Sequence, residues 1–144
     1  MPVNIASIVF PTDFSDVSVA ALPWVTDLAE KYGADIHCVY VVEEPQIYSS
    51  LELGSVAIPT SGELLESAKA RMDKFTSEHL GGGTGKCVVG HAATEIVNYA
   101  NEVNAGLIVM STHGYSGVKH VMLGSTTEDV VSKAACPVLS VRGA

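Results

Sequence analysis

Five short apolar runs, each bounded by turn formers, alternate along the chain with longer segments of helical periodicity. The runs are Ile5 to Phe10, Ile36 to Val42, Lys86 to Gly90, Leu107 to Met110 and Val138 to Val141. Most of their residues are apolar at consecutive rather than alternate positions, the mark of a strand buried on both faces. Parallel strands need a crossover of a dozen or more residues, and right-handed crossovers carry helices to both faces of the sheet. The alternation therefore predicts one doubly wound α/β domain over residues 1–144: an open sheet of five parallel strands with helices on both faces. No internal repeat, linker or low-complexity tract interrupts it.

The helical segments carry their own start and stop signals. Asp13-Phe14-Ser15 offers N-cap residues, and Ala20, Ala21, Trp24, Val25 and Leu28 continue a helical pattern that Gly33 ends. Pro23 either interrupts this helix or sits in its first turn, and both readings stand. Thr60-Ser61-Gly62-Glu63 fits a capping box, which opens a helix running to about Leu80 and the stop at Gly81-Gly82-Gly83. Two more helices are expected at Thr94 to Val103 and Thr126 to Ala135, giving four in all. Between Glu43 and Thr60 periodicity is lost around Pro45, Gly54 and Pro59, and so long a loop is usually functional or mobile.

Composition narrows the function classes. Sixteen acidic and eight basic residues leave a net charge of −8, which argues against non-specific nucleic-acid binding. It leaves room for a phosphorylated ligand, since backbone N–H groups at a helix N-terminus hold phosphate without many lysines. Cys38, Cys87 and Cys136 form no CxxC pair; Cys38 and Cys87 lie inside apolar runs and read as small hydrophobes, which suits a reducing compartment. The start of the chain has no signal-peptide pattern, and no apolar run approaches the roughly 18 residues of a membrane span. A soluble, cytoplasmic protein is expected.

In doubly wound sheets ligands bind beyond the C-terminal strand ends, where the strand order reverses. The first strand leads into Pro11-Thr12-Asp13-Phe14-Ser15. There Asp13 or Ser15 either caps the next helix or meets a ligand, and one side chain can do both. At the end of the second strand, near Val41, free backbone groups could pair with a purine edge. The fourth strand leads into Ser111-Thr112-His113-Gly114-Tyr115-Ser116-Gly117 and on to Gly124-Ser125-Thr126-Thr127. Glycines here allow close backbone approach, and Gly124-Ser125-Thr126 precedes a helix whose free N–H groups favour an anion. An ordinary helix cap is the plainer reading, and Glu128 and Asp129 in the first turn support it. His113, Lys119 and His120 could reach a phosphate or simply be solvated.

Several chemistries are missing. There is no GxxxxGK[ST] loop and no GxGxxG after the first strand, so a P-loop NTPase or NAD(P) dehydrogenase is not expected. The histidines show no zinc-ligand spacing, and no Gly-x-Ser-x-Gly elbow occurs. No catalytic residue is proposed.

At this point the chain resembles the universal stress protein family. The resemblance rests on Pro11-Thr12-Asp13-Phe14-Ser15, on Ser111-Thr112-His113-Gly114 followed nine residues later by Gly124-Ser125, and on Cys136-Pro137-Val138-Leu139-Ser140-Val141. It covers essentially the whole chain and implies a Rossmann-like fold of the adenine nucleotide alpha hydrolase type. The family's ATP-binding branch carries G-x-x-G-x9-G-[ST]. Gly114, Gly124 and Ser125 match it, while Ser111 stands where the first glycine belongs. If the backbone at Ser111 were left-handed, serine would cost on the order of 1 kcal/mol.

The resemblance implies a dimeric ATP-binding sensor or regulatory module of the stress response. Its ligand would be ATP, or AMP or ADP, with or without Mg²⁺ held through the phosphates. Asp13 and the Val41 backbone would hold the adenosine part, with Pro11 and Thr12 beside them. Met110, Ser111 and Gly114 would line the ribose and α-phosphate side, Gly124, Ser125 and Thr126 would receive the phosphates, and His113 would also meet the nucleotide. The final strand, Val138 to Val141, would pair two copies. A nucleotide-free interaction protein and a slow ATPase or autokinase are the alternatives.

Overall fold

The computed structural model describes residues 2–43, 60–112 and 125–142. The runs of β-branched residues form strands β1 (Ser7–Pro11), β2 (Asp35–Val42), β3 (Thr84–Val89), β4 (Leu107–Ser111) and β5 (Val138–Val141). Helices α1 (Asp16–Ala20) and α2 (Leu22–Tyr32) follow β1, and α3 (Ser61–Leu80) precedes β3. Helix α4 (Ala92–Glu102) joins β3 to β4, and α5 (Ser125–Lys133) precedes β5. All pairings are parallel, in the order β3-β2-β1-β4-β5, as the alternation predicts.

Each strand divides its residues between two cores. Ile8, Phe10, Cys38 and Val109 face α1, α2 and α3, where they meet Val25, Met72 and Phe75. Val9, Val39, Ile108 and Met110 face α4 and α5, where they meet Ile96, Tyr99 and Val130. Strand side chains point alternately to opposite faces, so a run apolar throughout feeds both cores at once.

The local signals mostly perform as read. Thr60 and Glu63 exchange the two hydrogen bonds of a capping box, and Gly33 and Gly81 adopt left-handed φ of 65° at their helix ends. The first helix differs from expectation. It is two helices, broken at Ala21, with Pro23 in the first turn of α2. Proline lacks an N–H and clashes with the preceding turn, so it is accommodated where no intrahelical donor is needed. The described residues thus hold five helices rather than four. Strand β3 begins at Thr84 rather than Lys86, because the polar Thr84-Gly85 pair still matches His37 and Cys38 in the ladder.

The sheet opens at its centre. Pairing between β1 and β4 is confined to Ile8↔Leu107 and Val9↔Ile108, after which the two strands part. The crossovers leave in opposite directions here, α1 and α2 toward β2, α5 toward β5. The gap lies at the reversal of strand order. The expected loop from Glu43 to Thr60 lies outside the described residues except at its two ends.

Candidate functional site

The turn after β1 is built by its own side chains. The Phe14 N–H donates to Thr12 Oγ1 at 3.0 Å, and the Ser15 N–H donates to Asp13 Oδ1 at 2.9 Å. Ser15 is the N-cap of α1, its Oγ accepting from the Ser18 N–H at 3.2 Å. The choice between Asp13 and Ser15 as cap is thereby resolved. Ser15 caps, while Asp13 orders the turn with one oxygen and lines the gap between β1 and β4.

That gap is a cleft of about 350 Å³. Pro11, Thr12 and Asp13 form one wall, Val41 and Val39 the β2 side, Met110 and Ser111 the β4 side. Ser125 and Thr126 enter from the first turn of α5. Eight residues singled out from the sequence thus converge on one space, though they come from β1, the turn after it, β2, β4 and α5. His113, Gly114 and Gly124 lie outside the described residues, as do Lys119 and His120. Sequence reasoning missed Ala92 and Ile96 of α4, and also Thr112 and Thr127. The helical periodicity of α4 marked Ile96 as core, and nothing local signalled that its end of the stripe borders a cleft.

Backbone polarity gives the β2 wall its character. In a parallel ladder, successive residues turn their N–H and C=O to opposite neighbours. The Val39 carbonyl accepts from the Thr12 N–H, toward β1, and the Val42 carbonyl accepts from the Gly90 N–H, toward β3. The same alternation turns the N–H and C=O of Val41 toward β1. Pairing with β1 has ended by then, at Pro11↔Val39. A donor and an acceptor about one residue apart therefore face the cleft above an apolar floor of Val39, Ile96 and Met110.

On the opposite side, Ser111 is the last residue of β4, opposite Val141 in the ladder. It is not among the residues with positive φ, so serine carries no conformational penalty there. Thr112 closes the strand end, its N–H donating to the Val141 carbonyl at 3.0 Å. Helix α5 begins at Ser125 and presents its N-terminal turn, with hydroxyls of Ser125 and Thr126, to the cleft. Among the described lining residues the only charge is that of Asp13. No group of three His, Cys, Asp or Glu residues suited to a metal ion occurs among the described residues. No described helix is long and apolar enough to cross a membrane.

The cysteines sit away from this cleft. Cys38 is fully buried, and burial pushes its thiol up to about 12. Burial also raises Cys87 and Cys136, which are only half-buried at or near the sheet edges. They pack as small hydrophobes, in line with their apolar surroundings in the sequence.

Known proteins share this architecture. The model of the Universal stress protein family matches residues 4–142. Universal stress protein MJ0531 of Methanocaldococcus jannaschii is 34% identical, over 94% of this chain and 81% of that protein. Universal stress protein MJ0577 of the same organism is 32% identical, over 99% of this chain and 98% of that protein. The solved structure of MJ0577 superposes with a TM-score of 0.78, at 31% identity and over 97% of both chains. A universal stress protein solved in complex with cAMP shares the fold, with a TM-score of 0.64 at 21% identity over 96% of this chain and 98% of that one. The chain thus belongs to the universal stress protein family.

Proposed function

We propose that this protein binds an adenine nucleotide, ATP foremost, in the cleft between β1 and β4, and that it works as a dimeric sensor or regulator in the stress response rather than as a catalyst. The observation that carries the reading is that the N–H and C=O of Val41 lie beyond the β1 pairing, with no partner among the described residues, beside an apolar floor. Adenine offers an acceptor at N1 and a donor at its 6-amino group, which is the complement of that pair. Val39, Ile96 and Met110 would take the face of the base, and the second oxygen of Asp13 would accept from a ribose hydroxyl.

The phosphates would lie toward the N-terminus of α5, where Ser125 and Thr126 supply hydroxyls and the helix dipole favours an anion. A volume of about 350 Å³ falls within the range of small-ligand sites. No lysine or arginine is among the described lining residues, so Mg²⁺ carried on the phosphates would offset their charge. Extended backbone at Ser111 removes the objection that the missing motif glycine raised against nucleotide binding. The same fold accommodates cAMP, an adenine nucleotide, in the universal stress protein solved with it. His113, Gly114 and Gly124 would complete the phosphate side.

Pairing of two copies would use β5, which among the described strands has β4 alone as a neighbour. An apolar edge left open is an association hazard, which a second copy would remove. Titration calorimetry with ATP, ADP and AMP, with and without Mg²⁺, tests the nucleotide reading. Saturable heat is expected, and its absence at millimolar nucleotide would overturn it. Sedimentation tests the dimer, with a monomer at micromolar concentration as the contrary outcome.

A further inference from the structure

Phe14 adopts φ 65°, in the left-handed region. Phenylalanine rarely does so, because its Cβ crowds the following carbonyl, and a bulky residue there is a genuine outlier. The other non-glycine residue with positive φ among those described is Asn104, in a polar turn where asparagine is at home. Such strain persists only where the surroundings over-determine it, and it gathers at functional sites.

The surroundings of Phe14 do over-determine it. Its ring lies 4.9 Å from that of Tyr40 on β2 and 5.6 Å, edge-on, from that of Phe75 on α3. The guanidinium of Arg71, also on α3, sits 4.7 Å from the ring centroid. The backbone is held as well, since the Phe14 N–H donates to Thr12 Oγ1. Phe14 stands between Asp13, which lines the cleft, and Ser15, whose N–H binds the Asp13 carboxylate. Returning Phe14 to ordinary φ would swing these two neighbours apart and break that bond.

We infer that Phe14 is a positioning residue, whose left-handed backbone, gripped by Tyr40, Phe75 and Arg71, keeps the Asp13 carboxylate turned into the cleft. It touches no ligand itself and acts through Asp13. The inference deepens the nucleotide reading and rests on it for its effect on affinity. It also ties the cleft to α3, because Arg71 and Phe75 bear on the same ring that fixes Asp13.

Two measurements on the full chain test it. The first is amide hydrogen exchange at Ser15, followed by NMR in the wild type, Phe14→Ala and Arg71→Ala, which needs no nucleotide. Phe14→Ala should speed exchange at Ser15 by about tenfold beyond any change in global stability. Arg71→Ala should move it in the same direction by about twofold. Since Arg71 is exposed, this variant keeps the test alive if Phe14→Ala does not fold.

The second is a double-mutant cycle on ATP affinity. Phe14→Ala should weaken binding by about tenfold in the wild type, yet by less than about twofold in an Asp13→Ala background. Unchanged Ser15 exchange, or an equal loss of affinity in both backgrounds, would overturn the inference. If the wild type takes up no ATP, the nucleotide reading fails, while the Ser15 exchange still decides whether Phe14 positions Asp13.

Discussion

Thr12 Oγ1 and Ser18 Oγ lie 2.6 Å apart in a buried hydroxyl pair that ties the end of β1 to the first turn of α1. Both residues are under 10% exposed, so water is a poor substitute partner for either hydroxyl. Ser18→Ala removes one hydroxyl and leaves Thr12 without that partner. A loss of about 1–2 kcal/mol is expected, read from urea denaturation midpoints at constant m. The Ser15 cap stays intact in this variant, because it uses the Ser18 backbone N–H. An unchanged midpoint would mean that the pair adds no stability.

Gly85 faces α3 where the helix crosses edge strand β3. A Cβ built there would stand 2.4 Å from Met72 Cγ and 2.8 Å from its sulfur. Met72 is itself nearly fully buried, so it has little room to retreat. Gly85→Ala should therefore destabilise by about 1–3 kcal/mol through overpacking. Gly85→Ala should cost less in a Met72→Ala background than in the wild type, and denaturation midpoints of the four variants check it.

Cys38 should make stability fall at high pH. Its buried thiol ionises at about 12 in the folded protein, against 9.0 for a free cysteine. Between these values the unfolded chain releases a proton that the folded chain retains, so rising pH favours unfolding. The contribution is fully present below about pH 9 and is lost at up to about 1.4 kcal/mol per pH unit above it. Cys87, Cys136 and Tyr99 are also raised by burial and act with the same sign. Cys38→Ala should flatten the decline, as measured by denaturation from pH 8 to 10.5; an unaltered slope would exclude Cys38 as its source.

The N–H and C=O of Val41, beyond the end of the β1 pairing, predict discrimination between bases. Inosine and guanine carry an acceptor at the 6-position and a donor at N1, the reverse of adenine. ITP and GTP should bind at least about tenfold more weakly than ATP in parallel calorimetric titrations. Equal affinity for ATP and ITP would place the base elsewhere.

At the first turn of α5, charge should separate stability from binding. Ser125→Asp adds a carboxylate to a helix N-terminus, which is expected to stabilise by about 0.3–1 kcal/mol. The same carboxylate would repel incoming phosphates, so ATP should bind about tenfold more weakly, with adenosine little affected. Thermal melts and titrations on one preparation check both signs. Loss of adenosine binding to the same degree would move the phosphates away from Ser125.

Much of the fold was legible because strand and helix periods are local. Runs such as Ile5 to Phe10 and Ile36 to Val42, apolar at successive positions, predicted parallel strands covered on both faces. Thr60 with Glu63 announced a helix start that both hydrogen bonds then formed. The break at Ala21 was less legible, because Pro23 suits either the interior kink or the first turn of a new helix. Asp13 and Ser111 follow strands, Ser125 and Thr126 open a helix, and Met110 came from the family resemblance; all five line one cleft. Ala92 and Ile96 escaped, since a helix's apolar stripe reads alike whether it meets a core or a cleft.

The sequence by itself determined the strand and helix alternation, the parallel sheet that follows from it, and strand-end residues that line one cleft. Those are consequences of side-chain periodicity and turn chemistry, which act over a few residues. Only the tertiary structure decided that pairing of β1 stops at Val39 while β3 continues to Val42, which puts the Val41 N–H and C=O beyond the reach of the β1 ladder. It also decided that Ser111 lies in extended strand, and that Phe14 is held left-handed by rings from β2 and α3. These depend on where one segment ends against another, and contacts between residues far apart in the chain set them.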